Sequence, residues 1–255
     1  MSEALQASLA ARLRALTPAR VGLGRTGVSQ QTRDLLDFQR AHALARDAVH
    51  AQMNTGALAA QLASITGRAV QRLHSAAADR ATYLQRPDLG RRLDESSRAS
   101  LPCGPWDLVL IVADGLSAIA VERQAPPLLE QLLPLLEGWR IAPVAVVEQG
   151  RVAIGDEIGA ALGAQLSVVL IGERPGLSSP DSLGAYITWE PRSGRTDAER
   201  NCISNIRPEG LNYEQAAAQL GYYLREARSL GLTGIGLKEE FHLLQDCEAK
   251  ATQGS

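Results

Sequence analysis

An apolar run that stops at a polar loop bounded by glycine and proline constrains the fold of this chain more than any other feature. Residues 168–171 (Val-Val-Leu-Ile) are followed directly by Gly-Glu-Arg-Pro-Gly at 172–176. A short apolar run between turn residues is typical of a buried strand in a parallel sheet. The loop after such a strand lies at the carboxyl edge, where open α/β sheets bind ligands. The sequence therefore predicts a polar ligand rim at Glu173 and Arg174; an ordinary turn with a solvated ion pair is the alternative.

Composition narrows the possible partners. The chain has 255 residues, enough for one large or two small domains, and a formal net charge of −2. A near-neutral chain without a basic stripe offers no electrostatic surface for nucleic acid. An aromatic content of 4% also provides few side chains on which bases could stack. We therefore expect no nucleic-acid partner.

The cysteines and the N-terminus indicate a cytoplasmic protein. Cys103, Cys202 and Cys247 are far apart and form no Cys-x-x-Cys pair, so neither a disulfide framework nor a zinc site is predicted. The first residues lack a basic segment followed by an apolar one, and we expect no signal peptide. No apolar run approaches the roughly 20 residues of a membrane span, so no membrane partner is expected.

The first half of the chain has the apolar periodicity of helices. Leucines recur on one face of residues 3–16, which predicts either a leading helix that docks on a partner or a frayed amphipathic tail. Residues 31–50 are predicted to form a strong helix, with His42 as a core or interface histidine. The apolar stripe of this helix consists of Leu35, Phe38, His42, Ala45 and Val49. Residues 57–75, rich in Ala, Leu and Gln, are predicted to form a further helix.

A glycine pattern at Gly22, Gly24 and Gly27 matches Gly-x-Gly-x-x-Gly and raises the alternative of a stand-alone nucleotide-binding oxidoreductase. That motif requires a preceding strand, and Pro-Ala-Arg-Val at 18–21 is too short to be one. Asp47, the candidate ribose ligand, falls inside a helical pattern instead of ending a second strand. We therefore favour a flexible loop that can meet a partner over a dinucleotide site.

Residues 79–93 gather charge around Pro87, which restricts the preceding backbone to an extended or turn conformation. A rigid charged turn of this kind suits recognition of a carboxylate or of another subunit, and a solvated loop is the alternative. The polar residues 94–105 contain two prolines, and we place a domain boundary among them. The predicted division is a helical region over residues 1–98 and an α/β domain over residues 99–255.

Strands and helices alternate after this boundary, which predicts an open α/β sheet with right-handed crossovers. Strands are predicted at 107–113, 144–147, 168–171 and 185–189, and helices at 126–137, 156–162 and 212–230. The last helix has Asn212 as its N-cap and Gly231 as its stop. Residues 190–211 are predicted to be a long functional loop.

Three loops are predicted to converge at the carboxyl edge of this sheet, at 150–152, 172–176 and 200–206. They offer amide, carboxylate, guanidinium, hydroxyl and thiol groups, but no histidine. Cys202 and Ser204 therefore lack the positioned base or the Gly-x-Ser-x-Gly context that nucleophilic catalysis requires. The loops predict a site that holds an apolar, amide-rich ligand, not one for acid–base catalysis.

Five motifs jointly resemble the small (light) subunit of ethanolamine ammonia-lyase, an adenosylcobalamin-dependent enzyme, and the resemblance runs from about Thr17 to Leu237. The motifs are Arg-Ala-Thr-Tyr-Leu-Gln-Arg-Pro-Asp-Leu-Gly-Arg-Arg-Leu at 80–93, Asp-Gly-Leu-Ser at 114–117, Gly-Arg-Val at 150–152, Gly-Glu-Arg-Pro-Gly at 172–176 and Arg-Asn-Cys-Ile-Ser-Asn-Ile at 200–206. The resemblance implies a helical N-terminal part followed by a Rossmann-like open α/β domain.

The resemblance also implies that this chain is one half of an enzyme. In the family, a TIM-barrel large subunit carries the substrate pocket and the reacting groups, and the small subunit covers cobalamin at the interface. The complex is a high-order hetero-oligomer that converts ethanolamine into acetaldehyde and ammonia through radicals started by homolysis of the Co–C bond. The cobalamin contacts of the small subunit carry over to Val152, Glu173 and Cys202, and no catalytic residue is implied here.

These residue types suit corrin, a flat apolar ring fringed with amides. Glu173 can accept N–H bonds from an amide, Val152 can pack on the ring or the nucleotide tail, and Cys202 fits as a small apolar side chain. Cobalamin proteins that replace the lower base of the cofactor use Asp-x-His-x-x-Gly, and none of the four histidines lies in that pattern. We therefore expect base-on binding, with dimethylbenzimidazole on cobalt.

Longer family members carry an N-terminal extension that can direct the complex to a bacterial microcompartment, and this chain largely lacks it. A cytoplasmic complex is expected, and its enclosure in a microcompartment is left open. A non-catalytic cobalamin-binding scaffold or chaperone is the remaining alternative, and activity that depends on an added large subunit would exclude it.

Overall fold

A six-stranded sheet organises the fold, and both halves of the chain contribute strands to it. The computed structural model describes residues 3–17 and 19–238, so the tail residues Phe241, Leu243, Leu244 and Cys247 lie outside the described residues. The α-helices are α1 (Glu3–Leu16), α2 (Thr32–His50), α3 (Thr55–Thr66), α4 (Arg80–Gln85), α5 (Glu95–Ala99), α6 (Ala118–Leu132), α7 (Ile154–Leu162) and α8 (Tyr213–Leu230). The strands are β1 (Arg25–Thr26), β2 (Ser29–Gln30), β3 (Val70–His74), β4 (Leu108–Ala113), β5 (Val144–Glu148), β6 (Leu166–Gly172), β7 (Leu183–Trp189) and β8 (Arg200–Ile206).

The sheet is mixed, with the strand order β3-β5-β4-β6-β7-β8. β3, β5, β4 and β6 run parallel to one another, and β7 and β8 add to β6 as antiparallel strands. The α/β architecture with helices at the N-terminus is confirmed. The strands predicted at 107–113, 144–147, 168–171 and 185–189 are all present, within a few residues of the predicted bounds.

Two predictions from the sequence are wrong. The helix predicted over 57–75 ends at Thr66, because Gly67 adopts a left-handed conformation with φ +61° and caps it, and residues 70–74 form β3 instead. The long loop predicted over 190–211 contains β8. Its exposed polar residues interrupt the alternation of apolar and polar residues by which a strand is recognised in a sequence. Both missed strands lie at the edges of the sheet, where one neighbour is absent and apolar patterning is weakest.

Helices cover both faces of the sheet and form two separate apolar cores. α3, α6 and α8 pack on one face, where Leu110, Val112 and Leu128 are buried. α7 packs on the other face, and its Ile158 contacts the apolar cluster that includes Ile111. Every residue of β4 is buried, which accounts for its continuous apolar sequence.

Helix boundaries follow local capping. Ser117 caps α6 by accepting a hydrogen bond from the backbone N–H of Ala120, so this helix begins before the predicted residue 126 and contains Pro126. Asn212 and Gly231 bound α8 as predicted. Among the residues that the structure describes, no helix combines the length and the apolar character needed to cross a membrane.

The N-terminal segment is open to solvent on much of its surface. In α2, Ala41 and Ala48 are buried, whereas Leu35, Phe38 and His42 of the predicted apolar stripe are exposed. The Gly-x-Gly-x-x-Gly segment leads into the β1–β2 hairpin and not into a helix, so it lacks the context of a dinucleotide site. β3 precedes the boundary predicted at residues 98 and 99 but pairs with β5, and the division into two domains stays a prediction.

Candidate functional site

The candidate site lies at the carboxyl ends of β4, β5 and β6. The chain leaves β4 for β5 on one side and leaves β6 for β7 on the other, so the connections diverge between β4 and β6. Ligands bind open α/β sheets at such a switch point. A cavity of about 400 Å³ opens there. It is lined by Tyr83, Gly115, Leu116, Arg151, Val152, Ile171, Gly172, Glu173, Arg174 and Tyr186.

The floor of the cavity depends on a close approach between two backbones. Gly115 has φ +57°, and a Cβ added to it would lie 2.3 Å from the carbonyl oxygen of Gly172. The same carbonyl accepts a hydrogen bond of 2.9 Å from the backbone N–H of Leu116. Glycine is therefore required at residue 115 both for its conformation and for its lack of a side chain.

Glu173 lies half-buried at the rim, as predicted. Its Oε2 accepts hydrogen bonds from the hydroxyl of Ser182 and from the backbone N–H of Asn205, the latter at 3.2 Å. Its Oε1 has no donor among the described residues. The protein thus orients the carboxylate through one oxygen and leaves the other able to accept a hydrogen bond from a ligand.

Val152 also lines the cavity, in the turn that leads from β5 into α7. Its side chain is half-buried and packs against the apolar core beneath α7. The preceding residue, Arg151, is anchored by a hydrogen bond of 2.7 Å from its backbone N–H to the carbonyl of Gly90. The structure therefore brings Val152 and Glu173 to the same cavity, from two different loops.

Cys202 occupies a different position. It is exposed on β8, and it does not belong to the cavity lining. Its cross-strand neighbour is Tyr186, which does line the cavity. Burial raises the pKa of Tyr186, and the adjacent Cys202 thiol and Glu173 carboxylate raise it further. The thiol of Cys202 lies 3.3 Å from the hydroxyl of Ser204.

Sequence reasoning missed the aromatic wall of the cavity. Tyr83 is fully buried, and its ring lies between the guanidinium groups of Arg80 and Arg151, at 4.8 and 4.3 Å from the ring centroid. Its hydroxyl donates a hydrogen bond of 3.0 Å to the carbonyl of Gly150, and burial raises its pKa. Residues 79–93 were predicted only as a charged turn, and nothing in their spacing indicates which distant loop they contact.

The charged turn itself has a simpler structure than predicted. Arg86 and Asp88 form an exposed ion pair at 2.7 Å. Gly90 lies against the side chains of Tyr83 and Arg151, where a Cβ would come within 2.9 Å of either. The turn thus contributes to the site through the packing of Gly90. Its exposed charges, Arg86 and Asp88, pair with each other.

The chemistry available at the cavity is that of binding. The apolar residues Leu116, Val152 and Ile171 form a surface on which a flat apolar ligand can pack, and Glu173, Arg151 and Arg174 supply polar groups around it. Histidine is absent from the lining, and the described residues at the cavity form no nucleophile–base pair.

Comparison with known proteins identifies one family, and the match covers nearly the whole chain. Residues 7–238 match the family described as "Ethanolamine ammonia-lyase light chain (EutC)". The ethanolamine ammonia-lyase small subunit of Pseudomonas aeruginosa is 59% identical over 236 residues, which are 89% of this chain and 86% of the relative. The small subunit of Pseudomonas syringae pv. tomato is 57% identical over 239 residues, 91% of this chain and 83% of the relative. That of Xanthomonas campestris pv. campestris is 58% identical over 238 residues, 90% of this chain and 87% of the relative.

A match of this extent shows the family. The chain belongs to the ethanolamine ammonia-lyase small (light) subunit family.

Proposed function

We propose that this chain binds adenosylcobalamin at the cavity between β4, β5 and β6 and covers it against the TIM-barrel large subunit. The complex is a hetero-oligomer that deaminates ethanolamine to acetaldehyde and ammonia, and this chain is inactive alone. The observation that carries the proposal is that Val152 and Glu173, two of the residues implied by the family resemblance, line one cavity at the switch point of the sheet.

The cavity fits one edge of a corrin ring. Leu116, Val152 and Ile171 offer the apolar contact that the ring requires, and the free Oε1 of Glu173 can accept an N–H bond from a fringe amide. A volume of about 400 Å³ accommodates only part of so large a cofactor. The remainder must be enclosed by another chain, which supports binding at a subunit interface.

The residues of this chain have binding roles in the proposed mechanism. Bound adenosylcobalamin supplies radical formation by homolysis of its Co–C bond. Glu173 orients the corrin through an amide, and Val152 packs against it. Cys202, which is exposed on β8 beside Tyr186, contacts the cofactor as a small apolar side chain where the cofactor extends beyond this cavity. Together with the large subunit, these residues exclude water from the reacting species.

The lower ligand of cobalt is proposed to be the dimethylbenzimidazole of the cofactor. None of the four histidines lies in an Asp-x-His-x-x-Gly pattern, and none of the three in the described part of the chain lines the cavity. In an EPR spectrum of cob(II)alamin in the complex, superhyperfine lines from a protein imidazole, identified by labelling histidine with ¹⁵N, would contradict base-on binding.

Exposed apolar side chains on α2 support a large-subunit partner. Leu35 and Phe38 are each 42% exposed, and Leu44 is 49% exposed. Exposed apolar surface on a helix that buries few of its own residues supports contact with another chain. The surface of α2 also reaches the cavity rim, because Leu44 and Leu177, which follows the Gly-Glu-Arg-Pro-Gly loop, line a common groove.

The test is reconstitution. The chain is co-expressed with a large subunit of the family, and deamination of ethanolamine is assayed with adenosylcobalamin, with each chain alone as a control. We expect activity only from the complex, and Glu173→Ala should raise the dissociation constant for cobalamin more than it lowers kcat. Cobalamin binding by the complex without any deamination would favour a scaffold or chaperone, and absence of binding would overturn the proposal.

A further inference from the structure

One buried side chain ties together the loops that form the cavity. Arg80, at the start of α4, is 8% exposed and does not itself line the cavity. Its Nε donates a hydrogen bond of 2.7 Å to the carbonyl of Val49 near the end of α2. Its Nη1 donates to the carbonyl of Gly115 at 2.9 Å and lies 3.3 Å from Oε1 of Gln149. Arg80 therefore connects α2 with the loops that follow β4 and β5.

Asp114 completes this connection. It is 2% exposed, and its Oδ2 lies 3.4 Å from Nη1 of Arg80. Its Oδ1 accepts a hydrogen bond of 3.0 Å from the backbone N–H of Gly150. Since Gly150 precedes Arg151 and Val152, the carboxylate of Asp114 fixes the turn that carries the proposed cobalamin contact.

The turn that Asp114 fixes contains a residue with an unfavourable backbone conformation. Gln149 is not a glycine, yet it has φ +56°, in the left-handed region that side chains disfavour. Such a conformation persists only where surrounding contacts enforce it, and it is found preferentially at functional sites. Here the contacts are made by Arg80 to the side chain of Gln149 and by Asp114 to the next residue.

The pair is poorly arranged for stability alone. Nη2 of Arg80 is buried and has no hydrogen-bond partner among the described residues. A buried donor without a partner is costly, and an ion pair removed from water is often no more stabilising than apolar packing. The role of this arrangement is to fix the positions of three segments, α2 and the loops that follow β4 and β5, relative to one another.

We propose that Arg80 and Asp114 are positioning residues of the cobalamin site. They hold Gly115 and the turn at 149–152 at the separation that the cofactor requires, and they do so without touching it. This inference rests on the proposed function, since it assumes that cobalamin is the ligand. It adds two residues that lie outside the cavity lining and were not assigned a role by the family resemblance.

The chain offers a matched control at the opposite end of the same strand. Asp107 precedes β4, is also 2% exposed, and pairs with Arg140 at 2.6 Å. Asp107→Asn and Asp114→Asn therefore remove the same charge from equally buried carboxylates, one far from the cavity and one behind it. A general loss of stability should affect both variants, whereas a loss of positioning should be confined to Asp114→Asn.

The experiment uses the complex with the large subunit and measures two quantities, the dissociation constant for adenosylcobalamin from the change in its visible absorbance, and kcat at saturating cofactor. We expect Asp114→Asn to raise the dissociation constant about tenfold or more, and kcat to stay within about twofold. Asp107→Asn should leave the dissociation constant within about twofold. Equal dissociation constants for the two variants would overturn the positioning role.

A second variant keeps the test decisive if Asp114→Asn fails to assemble. Arg80→Lys keeps the charge but loses the planar fork that reaches Val49 and Gly115 together. It should raise the dissociation constant and speed hydrogen exchange at the amide of Gly150, and unchanged values of both would overturn the inference. If the wild-type complex itself does not bind cobalamin, the proposed function fails, which is distinguishable from loss of affinity in the variants alone.

Discussion

Tyr186 on β7 lies directly opposite Cys202 on β8 in the antiparallel register, with its ring in the wall of the cavity and the thiol outside it. Cys202 therefore lies beside the wall of the cavity and is not part of its lining. The same ring also lies near the Glu173 carboxylate, which contributes to raising its pKa.

This relationship predicts unequal effects of substituting the two residues. Cys202→Ala removes a single exposed sulfur and should change the dissociation constant for cobalamin by no more than about threefold. Tyr186→Ala removes part of the cavity wall and should weaken binding by at least about tenfold. Titration of the two variant complexes with adenosylcobalamin compares them. A loss for Cys202→Ala as large as that for Tyr186→Ala would mean that the thiol contributes as much to cofactor binding as the ring does.

The crowded backbone at Gly115 predicts a large stability loss on substitution. Gly115→Ala places a methyl group 2.3 Å from the Gly172 carbonyl and keeps a left-handed φ, so we expect the free energy of unfolding to fall by about 3 kcal/mol or more. Gly27→Ala is the control, since Gly27 has φ +65° but no neighbouring atom within 4 Å. The free energy of unfolding of Gly27→Ala should fall by only about 1 kcal/mol, which is the cost of a left-handed φ for alanine. Urea denaturation of both variants provides the comparison, and equal losses would refute the role of crowding.

The buried carboxyl of Asp114 predicts a pH dependence of stability. Burial raises its pKa from 3.8 to about 6, although Arg80 opposes this shift. A raised folded-state pKa means that the contribution is fully present below pH 3.8 and is lost as the pH rises through about 6. Between pH 4 and pH 7 the wild type should therefore lose up to about 3 kcal/mol relative to Asp114→Asn, in which this group cannot titrate.

Urea denaturation of both proteins at a series of pH values measures that difference. Replacing the protonated carboxyl with an amide changes the free energy of unfolding by an amount that is the same at every pH, so only the ionisation of Asp114 in the wild type makes the difference vary with pH. The informative quantity is therefore the slope with pH. Parallel curves for the two proteins would show that Asp114 has an ordinary pKa.

A buried ion pair beside the sheet predicts a second large stability effect. Arg200 donates to both carboxylate oxygens of Asp156 at 2.7 Å, and the two side chains are only 2% and 3% exposed. Asp156→Ala leaves the buried guanidinium with only the exposed Asp197 carboxylate, at 3.6 Å, and should cost about 3–5 kcal/mol in the free energy of unfolding. Asp88→Ala, in the exposed pair with Arg86, should leave the denaturation midpoint unchanged within error. Similar losses in the two variants would contradict this account.

The exposed apolar side chains of α2 predict a site of subunit association. Leu44→Asp places a charge on this helix, in the groove that Leu44 shares with Leu177, and should weaken assembly with the large subunit by at least about tenfold, because a buried, unpaired charge is strongly disfavoured. Leu135→Asp is matched in exposure, at 44% against 49%, but it lies on a different surface. Analytical ultracentrifugation of mixtures with the large subunit compares the variants. Equal association by both would place the interface elsewhere.

The sequence predicts the elements that are buried along their whole length and the elements that carry their own start and stop signals. β4 and β6 are buried along their whole length, so an apolar run identifies them. α8 carries its own start and stop signals at Asn212 and Gly231. β3 and β8 are edge strands with mixed burial, and their pairing depends on neighbours far away in the chain.

The residues of the candidate site also differ in whether they could be predicted from the sequence. Glu173 follows a recognisable strand, so its position at the carboxyl edge could be predicted from periodicity and turn residues. Tyr83 and Arg80 reach the site from another part of the chain, and they contact Gly150 and Asp114 across 67 and 34 residues of sequence. Contacts of that separation are set by how the elements pack, which local patterns do not encode.

The membership of β3 in the sheet limits how this chain can be shortened. A chain that began at residue 99 would lack the strand that pairs with β5 over residues 144–148, and it would lack Arg80 as well. The exposed edge of β5 would present unpaired backbone groups beside buried side chains, a template for aggregation. The ligand-binding edge and its N-terminal support therefore depend on each other, and we expect a chain cut at residue 99 to lose both.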